Sequence, residues 1–237
     1  ESVDRILSAS EISFVGGGAS SIQFLFELYA FLEKYKSTPK INIFTMQERF
    51  LPTLPKNFHE YLLTKLQKKN SKFYPLTRIR SITKEDITIE SLINKHNSTI
   101  ASDITFLFLG VKPNPFQLNT NEFGQIIFEG TTYPNLFAAG DCSYFTGKGD
   151  NGLSAQMAVR KGRLVSQNIL NHINKNSLKT YNYKELGYFI SMGPLDGIGW
   201  MLFHNNILYG LPAFAIKEII EKQLEFFISG FDTYLDY

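Results

Sequence analysis

The chain has 237 residues, a formal net charge of +2 and 19% charged residues, a globular composition with length for one large domain or two small ones. The near-balanced charge excludes a nucleic-acid binder that works through a basic surface, and the single cysteine excludes both an intramolecular disulfide and a Cys-x-x-Cys redox pair, which fits a reducing, cytoplasmic setting. The first residues do not read as a signal peptide. No segment reaches the ~18 uninterrupted apolar residues of a membrane span; the nearest, residues 198–216, is broken by His204, Asn205, Asn206 and Pro212.

Residues 1–10 read as a short lead-in with a helical turn. Residues 11–45 read as β-α-β. A strand at 12–15 leads through glycines to a helix from Ser21 to about Tyr35, whose apolar stripe is Ile22, Leu25, Phe26, Leu28, Tyr29 and Leu32. Ser37-Thr38-Pro39 ends that helix, and a second strand covers 41–45. Residues 56–69 predict another helix, with Lys65-Leu66-Gln67-Lys68-Lys69 as its solvated face. Four short β-rich runs follow at 73–75, 78–83, 87–92 and 99–101, and they predict a β-meander. The apolar run 104–109 predicts a buried parallel strand that stops at Gly110, before a proline-rich loop at 111–115. A hairpin is expected from 125–128 and 136–139, a long helix over 151–173, strands within 186–210 and a final helix over 211–229.

Two motifs carry chemistry. The first is Val15-Gly16-Gly17-Gly18-Ala19-Ser20-Ser21, a strand–glycine turn–helix that suits a dinucleotide pyrophosphate. Gly16 permits the tight turn, Gly18 lets backbone approach phosphate, and Ser21 stands where a small residue keeps helix and strand close. At the end of the second strand stands Thr45; Glu48, just beyond, has the chemistry for a ribose hydroxyl and Arg49 that for a 2′-phosphate, so NAD and NADP both remain open. The second motif comes about 120 residues later, Pro134-Asn135-Leu136-Phe137-Ala138-Ala139-Gly140-Asp141-Cys142. Asp141 at a strand's carboxyl end can bond a ribityl chain, and a helix start at Ser154-Ala155-Gln156 offers amides to negative charge on a reduced flavin. Cys142 reads as a buried small hydrophobe. His59, His96, His172 and His204 are scattered without metal-ligand spacing, and read as surface or satisfied residues.

Together these residues resemble the two-dinucleotide-binding flavoproteins, the FAD- and NAD(P)H-dependent pyridine nucleotide-disulfide oxidoreductases. The glycine turn, the meander, the stretch Asp-Ile-Thr-Phe-Leu-Phe-Leu-Gly-Val-Lys-Pro-Asn at 103–114, the Gly140-Asp141 motif and the helix from Ser154 carry the likeness. Disulfide reductases and sulfide:quinone oxidoreductases need redox cysteines, so the look is closest to the type II NADH dehydrogenases. The resemblance implies an α/β fold: a Rossmann-like NAD(P)H-binding domain with β-meander over 1–112, the C-terminal part of an FAD domain over 113–185, and a C-terminal β/α extension over 186–237 for membrane, dimer or core packing. It implies hydride transfer from NAD(P)H to FAD and on to a quinone or other acceptor. FAD and NAD(P)H are then the cofactors, with Gly16, Gly17, Gly18, Ala19, Ser20, Ser21, Glu48, Gly110, Gly140, Asp141, Ser154, Ala155 and Gln156 as binding residues. No metal site is expected. Gln23 lies where that group often has a glutamate, so it is placed near the nicotinamide. Peripheral contact with the cytoplasmic membrane face and a homodimer are further expectations. The superfamily opens on an FAD turn that precedes the NAD(P)H turn. Here the NAD(P)H turn is already at Gly16, so a fragment is expected, or else a shortened relative. Other readings are a non-catalytic NAD(P)H-binding or partner-binding module, and a monooxygenase-type or ferredoxin-reductase-type flavoprotein.

Overall fold

The computed structural model describes residues 2–110 and 117–231. Among them, residues 2–110 with 187–231 form one compact unit and residues 117–186 another. The proline-rich loop expected at 111–115 lies outside the described residues.

The first unit begins with α1 (Ser2–Ser8), β1 (Glu11–Val15), α2 (Ala19–Lys34) and β2 (Lys40–Phe44). It continues with α3 (Lys56–Leu66), β3 (Ser71–Tyr74), β4 (Thr77–Ile82), β5 (Asp86–Ser91), β6 (Asn97–Ala101) and β7 (Ile104–Leu107). A parallel sheet has the order β3-β2-β1-β7. Strand alternation sorts its residues. Ile12, Phe14, Ile41 and Ile43 are fully buried in the core that includes α2 and α3. Val15 and Phe44 instead pack with Ile87 and Ile89 of β5 on the opposite face. Each such side chain contributes about 1.5–3 kcal/mol on burial, so both faces are covered and both read as apolar.

Three local expectations change. The meander is three-stranded, β4-β5-β6, because the first of the four β-rich runs pairs with β2 as the edge of the parallel sheet. Among the described residues β7 is the other edge, paired with β1, and Leu107 and Leu109 are exposed rather than buried. The lysine run is not simply a solvated face. α3 stops at Leu66, Lys65 pairs with Asp196, and Lys69 pairs with Glu33.

The second unit holds β8 (Leu118–Thr120), β9 (Gln125–Phe128), β10 (Thr131–Phe137), a single 3-10 turn at Gly140–Cys142, β11 (Ser143–Phe145) and α4 (Ala155–Ile173). Its sheet order is β10-β9-β8-β11, with β11 parallel to β8. The expected hairpin exists as β9–β10, but β10 starts earlier and ends before Ala139. β8 and β11 are too short to show a period in sequence. α4 begins at Ala155 rather than at 151, since the Ser154 hydroxyl accepts from the Met157 amide at 3.3 Å and caps the helix.

The chain then returns to the first unit with β12 (Gly187–Ser191), β13 (Gly197–Met201), β14 (Phe203–Tyr209) and α5 (Leu211–Ile228). These strands form an antiparallel meander in the order β12-β13-β14. Ile190, Met192, Ile198 and Trp200 enter the same core as α2 and α3. Polar links reinforce the seam: the Tyr61 hydroxyl donates to Asp196 at 2.7 Å and the Lys65 ammonium lies 2.6 Å from the same carboxylate. α5 packs on the meander with Ala213 buried, while Leu211, Ile219, Phe226 and Ile228 stay exposed.

Candidate functional site

The glycine turn sits at the carboxyl end of the parallel sheet, where the chain runs from β1 towards β3 on one side and comes back to β7 on the other. Such a switch point leaves a crevice beyond the strand ends. Gly16 has φ 121°, and a Cβ there would lie 2.2 Å from the Phe108 carbonyl oxygen, so the turn is closed to any side chain. Gly18 is different. It precedes α2 with φ −84° and ψ 176°, and a Cβ there would meet nothing within 4 Å. Its backbone borders open space.

The first intrahelical bond of α2 runs from the Ile22 amide to the Gly18 carbonyl at 3.1 Å, and no side chain caps the helix. The amides of Ala19, Ser20 and Ser21 therefore have no intrahelical acceptor, and the positive end of the helix dipole faces the same space. This arrangement suits an anion. Ser21 is buried and its hydroxyl donates to the Gly16 carbonyl at 2.8 Å, so serine at this position locks the turn as well as keeping it narrow.

The loop after β2 is fastened to this turn. The Leu51 amide donates to the Gly17 carbonyl at 3.0 Å, and the buried Thr45 hydroxyl accepts from the Gln47 amide at 3.2 Å. Glu48 is exposed on the loop. Arg49 is already engaged: its guanidinium donates to the Pro52 carbonyl at 2.6 Å and to the Leu54 carbonyl at 3.0 Å. Gln23, one turn along α2, donates through its amide to the Ser191 hydroxyl of β12 at 3.2 Å. Gly110 is exposed beyond β7 with φ 80°.

In the second unit, Gly140 adopts φ 71° with nothing within 4 Å of a notional Cβ, and Asp141 is exposed in the same turn. The Ser143 hydroxyl donates back to the Gly140 carbonyl at 2.8 Å. Cys142, expected to be buried, is exposed, its thiol 3.2 Å from the Ala139 carbonyl. Cys142 closes the 3-10 turn, which buries none of its three residues and lies beyond the end of β10. At the start of α4, Ala155 is exposed and Gln156 accepts a hydrogen bond from the Tyr183 hydroxyl at 3.1 Å.

Two residues of this unit escaped the sequence reading. Lys161 is 2% exposed, and its ammonium donates to the Ser143 carbonyl at 2.8 Å, directly behind the Gly-Asp turn. Burial pushes its pKa below the ordinary lysine value, against the opposing pull of Asp141 and Cys142. Asn168 is fully buried and clamps the chain: its amide donates to the Phe123 and Lys179 carbonyls at 2.9 and 2.8 Å, and its oxygen accepts from the Lys179 amide at 2.8 Å. Met157, Lys161, Val165 and Asn168 are the buried positions of α4. Their spacing of four, four and three is a helix stripe, and that period was the signal available.

Among the described residues, no group of three or more His, Cys, Asp or Glu could hold a metal, and no helix is long and apolar enough to cross a membrane.

The family model described as "Pyridine nucleotide-disulphide oxidoreductase" matches residues 2–162. The type II NADH:quinone oxidoreductase of Staphylococcus aureus (strain MSSA476) is 25% identical over 240 residues, covering 93% of this chain and 59% of that protein. A solved structure of NDH2 from Plasmodium falciparum in complex with NADH superimposes with a TM-score of 0.72 at 14% identity, covering 94% of this chain and 64% of that one. A second, of the same protein in complex with RYL-552, gives 0.71 at 14% identity over 93% and 63%. The chain thus spans about three fifths of the length of the relatives it matches.

Proposed function

We propose that this chain, which belongs to the pyridine nucleotide-disulphide oxidoreductase family, holds NADH at the glycine turn, contributes part of an FAD site at Gly140-Asp141, and serves electron transfer from NADH through FAD to a quinone. The open space over Gly18, bordered by uncapped amides, carries this reading. It is what a pyrophosphate needs and what a purely structural turn does not. Gly16, Gly17, Gly18, Ala19, Ser20 and Ser21 then form the phosphate cradle.

Glu48 is free to accept from ribose hydroxyls, and Arg49 holds its own loop rather than awaiting a 2′-phosphate. NADH is therefore the nucleotide we assign. Gly110, exposed just beyond β7, is assigned to the same crevice. The Gly140 turn has the same kind of open backbone, and Asp141, Ser154, Ala155 and Gln156 are the groups we assign to the flavin. The flavin supplies the chemistry of taking hydride and releasing single electrons. The protein's share is different. The Gly140 turn and the start of α4 offer backbone donors to it, and Lys161 behind the turn adds positive potential that favours a negatively charged cofactor. Since the chain has one cysteine, no redox disulfide takes part within it. Gln23, bonded to Ser191, is assigned to positioning between α2 and the C-terminal meander rather than to proton transfer.

The named function of the Staphylococcus relative supports quinone as acceptor. The exposed apolar residues Leu211, Ile219, Phe226 and Ile228 on α5 support a peripheral membrane contact, here assigned to the cytoplasmic face; the homodimer is the competing use of that surface. The protein carrying this chain should co-sediment with liposomes that contain a quinone and should oxidise NADH in their presence. Sedimentation without oxidation would remove the quinone assignment, and oxidation with a soluble quinone but no sedimentation would remove the membrane contact.

A further inference from the structure

The loop from Met46 to Leu54 is tied to the glycine turn, and one imidazole holds its centre. The Phe50 amide donates to the Nδ1 atom of His59 on α3 at 3.2 Å. A backbone N–H can only donate, so this ring nitrogen must be unprotonated and His59 neutral, with its proton on Nε2. The next residue, Leu51, is buried and carries φ 50°, a left-handed conformation that a leucine adopts only when its surroundings over-determine it. Two of those surroundings are visible: the Leu51 amide bond to Gly17, and the Phe50–His59 bond directly before it.

We propose that His59 is a positioning residue for the nucleotide site: as a neutral acceptor it holds Phe50 and Leu51 in place, and through them Glu48 and the Gly17 carbonyl, and its protonation releases the loop. The proposal rests on the nucleotide reading given above. A protonated imidazole has two donors and no acceptor, so the Phe50 amide would face a donor and lose its partner. The surroundings oppose protonation. Burial and the Arg49 guanidinium push the imidazole pKa down from its ordinary 6.5, Lys56 adds to this, and Glu60 and Glu48 pull the other way. The Phe50 and Phe73 rings complete the neighbourhood, with centroids 5.7 and 6.0 Å away. The sign follows. An ordered loop prefers the neutral ring, so its ordering is fully present above the ordinary value and is lost as pH falls below it, through the lower value of the ordered state.

The test uses NAD+, which survives acid, titrated calorimetrically into this chain between about pH 7.5 and about pH 5.5, a range that crosses histidine titration. Hydrogen exchange at the Phe50 amide is followed in parallel without nucleotide. His59→Asn puts a non-titrating oxygen where Nδ1 stood; His59→Phe keeps a ring without an acceptor. For wild type, affinity should fall by roughly three- to tenfold on acidification, the equivalent of one hydrogen bond, and the Phe50 amide should lose protection. His59→Asn should keep both unchanged across the range, and His59→Phe should bind weakly already at the neutral end. An acid loss repeated in His59→Asn, or a Phe50 amide that stays protected in acidified wild type, would overturn the proposal whether or not His59→Phe folds. If wild type binds no NAD+ at any pH while Phe50 exchange behaves as described, the nucleotide reading fails and the positioning role with it, leaving only the loop's acid response.

Discussion

Gly18→Val should weaken NADH binding at least a hundredfold, about 3 kcal/mol by affinity arithmetic, while leaving the fold intact. The two halves of this expectation have separate causes. The Gly18 backbone, at φ −84° and ψ 176°, is one that valine adopts readily, and the new Cβ meets no protein atom within 4 Å. What it does meet is the volume assigned to the pyrophosphate. Gly16→Val is the control with the opposite logic: φ 121° and the Phe108 oxygen 2.2 Å away leave no room, so that variant should lose stability before binding is in question. Calorimetric titration of NADH, with thermal unfolding of each protein, separates the cases. A Gly18→Val protein that unfolds like wild type and binds NADH equally well would remove the glycine turn from the nucleotide site.

Trp200→Ala should cost about 3–5 kcal/mol of unfolding free energy. Trp200 is 2% exposed on β13 and belongs to the core shared with α2 and α3. Truncation would leave a cavity at the seam between the C-terminal meander and the helices α2 and α3. It is also the chain's one tryptophan, so its fluorescence reports on that seam alone. In wild type, fluorescence and circular dichroism should follow one denaturant transition for the first unit. Trp200→Ala is then measured by circular dichroism. A loss below 1 kcal/mol, or a wild-type fluorescence transition well before the rest, would mean that residues 187–231 dock loosely and are not part of the first unit's core.

The β1–α2–β2 part of the first unit was legible in sequence because its signals are local. A glycine turn is dictated by φ and by the absence of a side chain, and the α2 stripe is dictated by helix period; neither depends on distant residues. Pairing does depend on them. Residues 71–74 look no different from meander strands, and only the neighbouring β2 edge decides that β3 joins the parallel sheet. The same holds for β7, whose apolar run suggested a buried strand although, among the described residues, it is the edge of its sheet. Side-chain employment was the least legible feature. Arg49 looked available for a phosphate, yet two carbonyls of its own loop take its guanidinium. Lys161 sits in Arg160-Lys161-Gly162-Arg163, where composition points every charge outward. Only the four-residue steps from Met157 to Val165 pass through it. Cys142 took the opposite course, an apolar-looking residue that the 3-10 turn leaves exposed.

Electron transfer from NADH through the flavin to a quinone is measured directly under anaerobic conditions. The protein that carries this chain is loaded with FAD and mixed with NADH, and the flavin's visible absorbance is followed. NADH should bleach the flavin rapidly, bleaching should be much weaker in Gly18→Val, and adding a quinone should restore the colour. A preparation that takes up FAD but stays yellow with NADH, or that takes up no FAD at all, would contradict it.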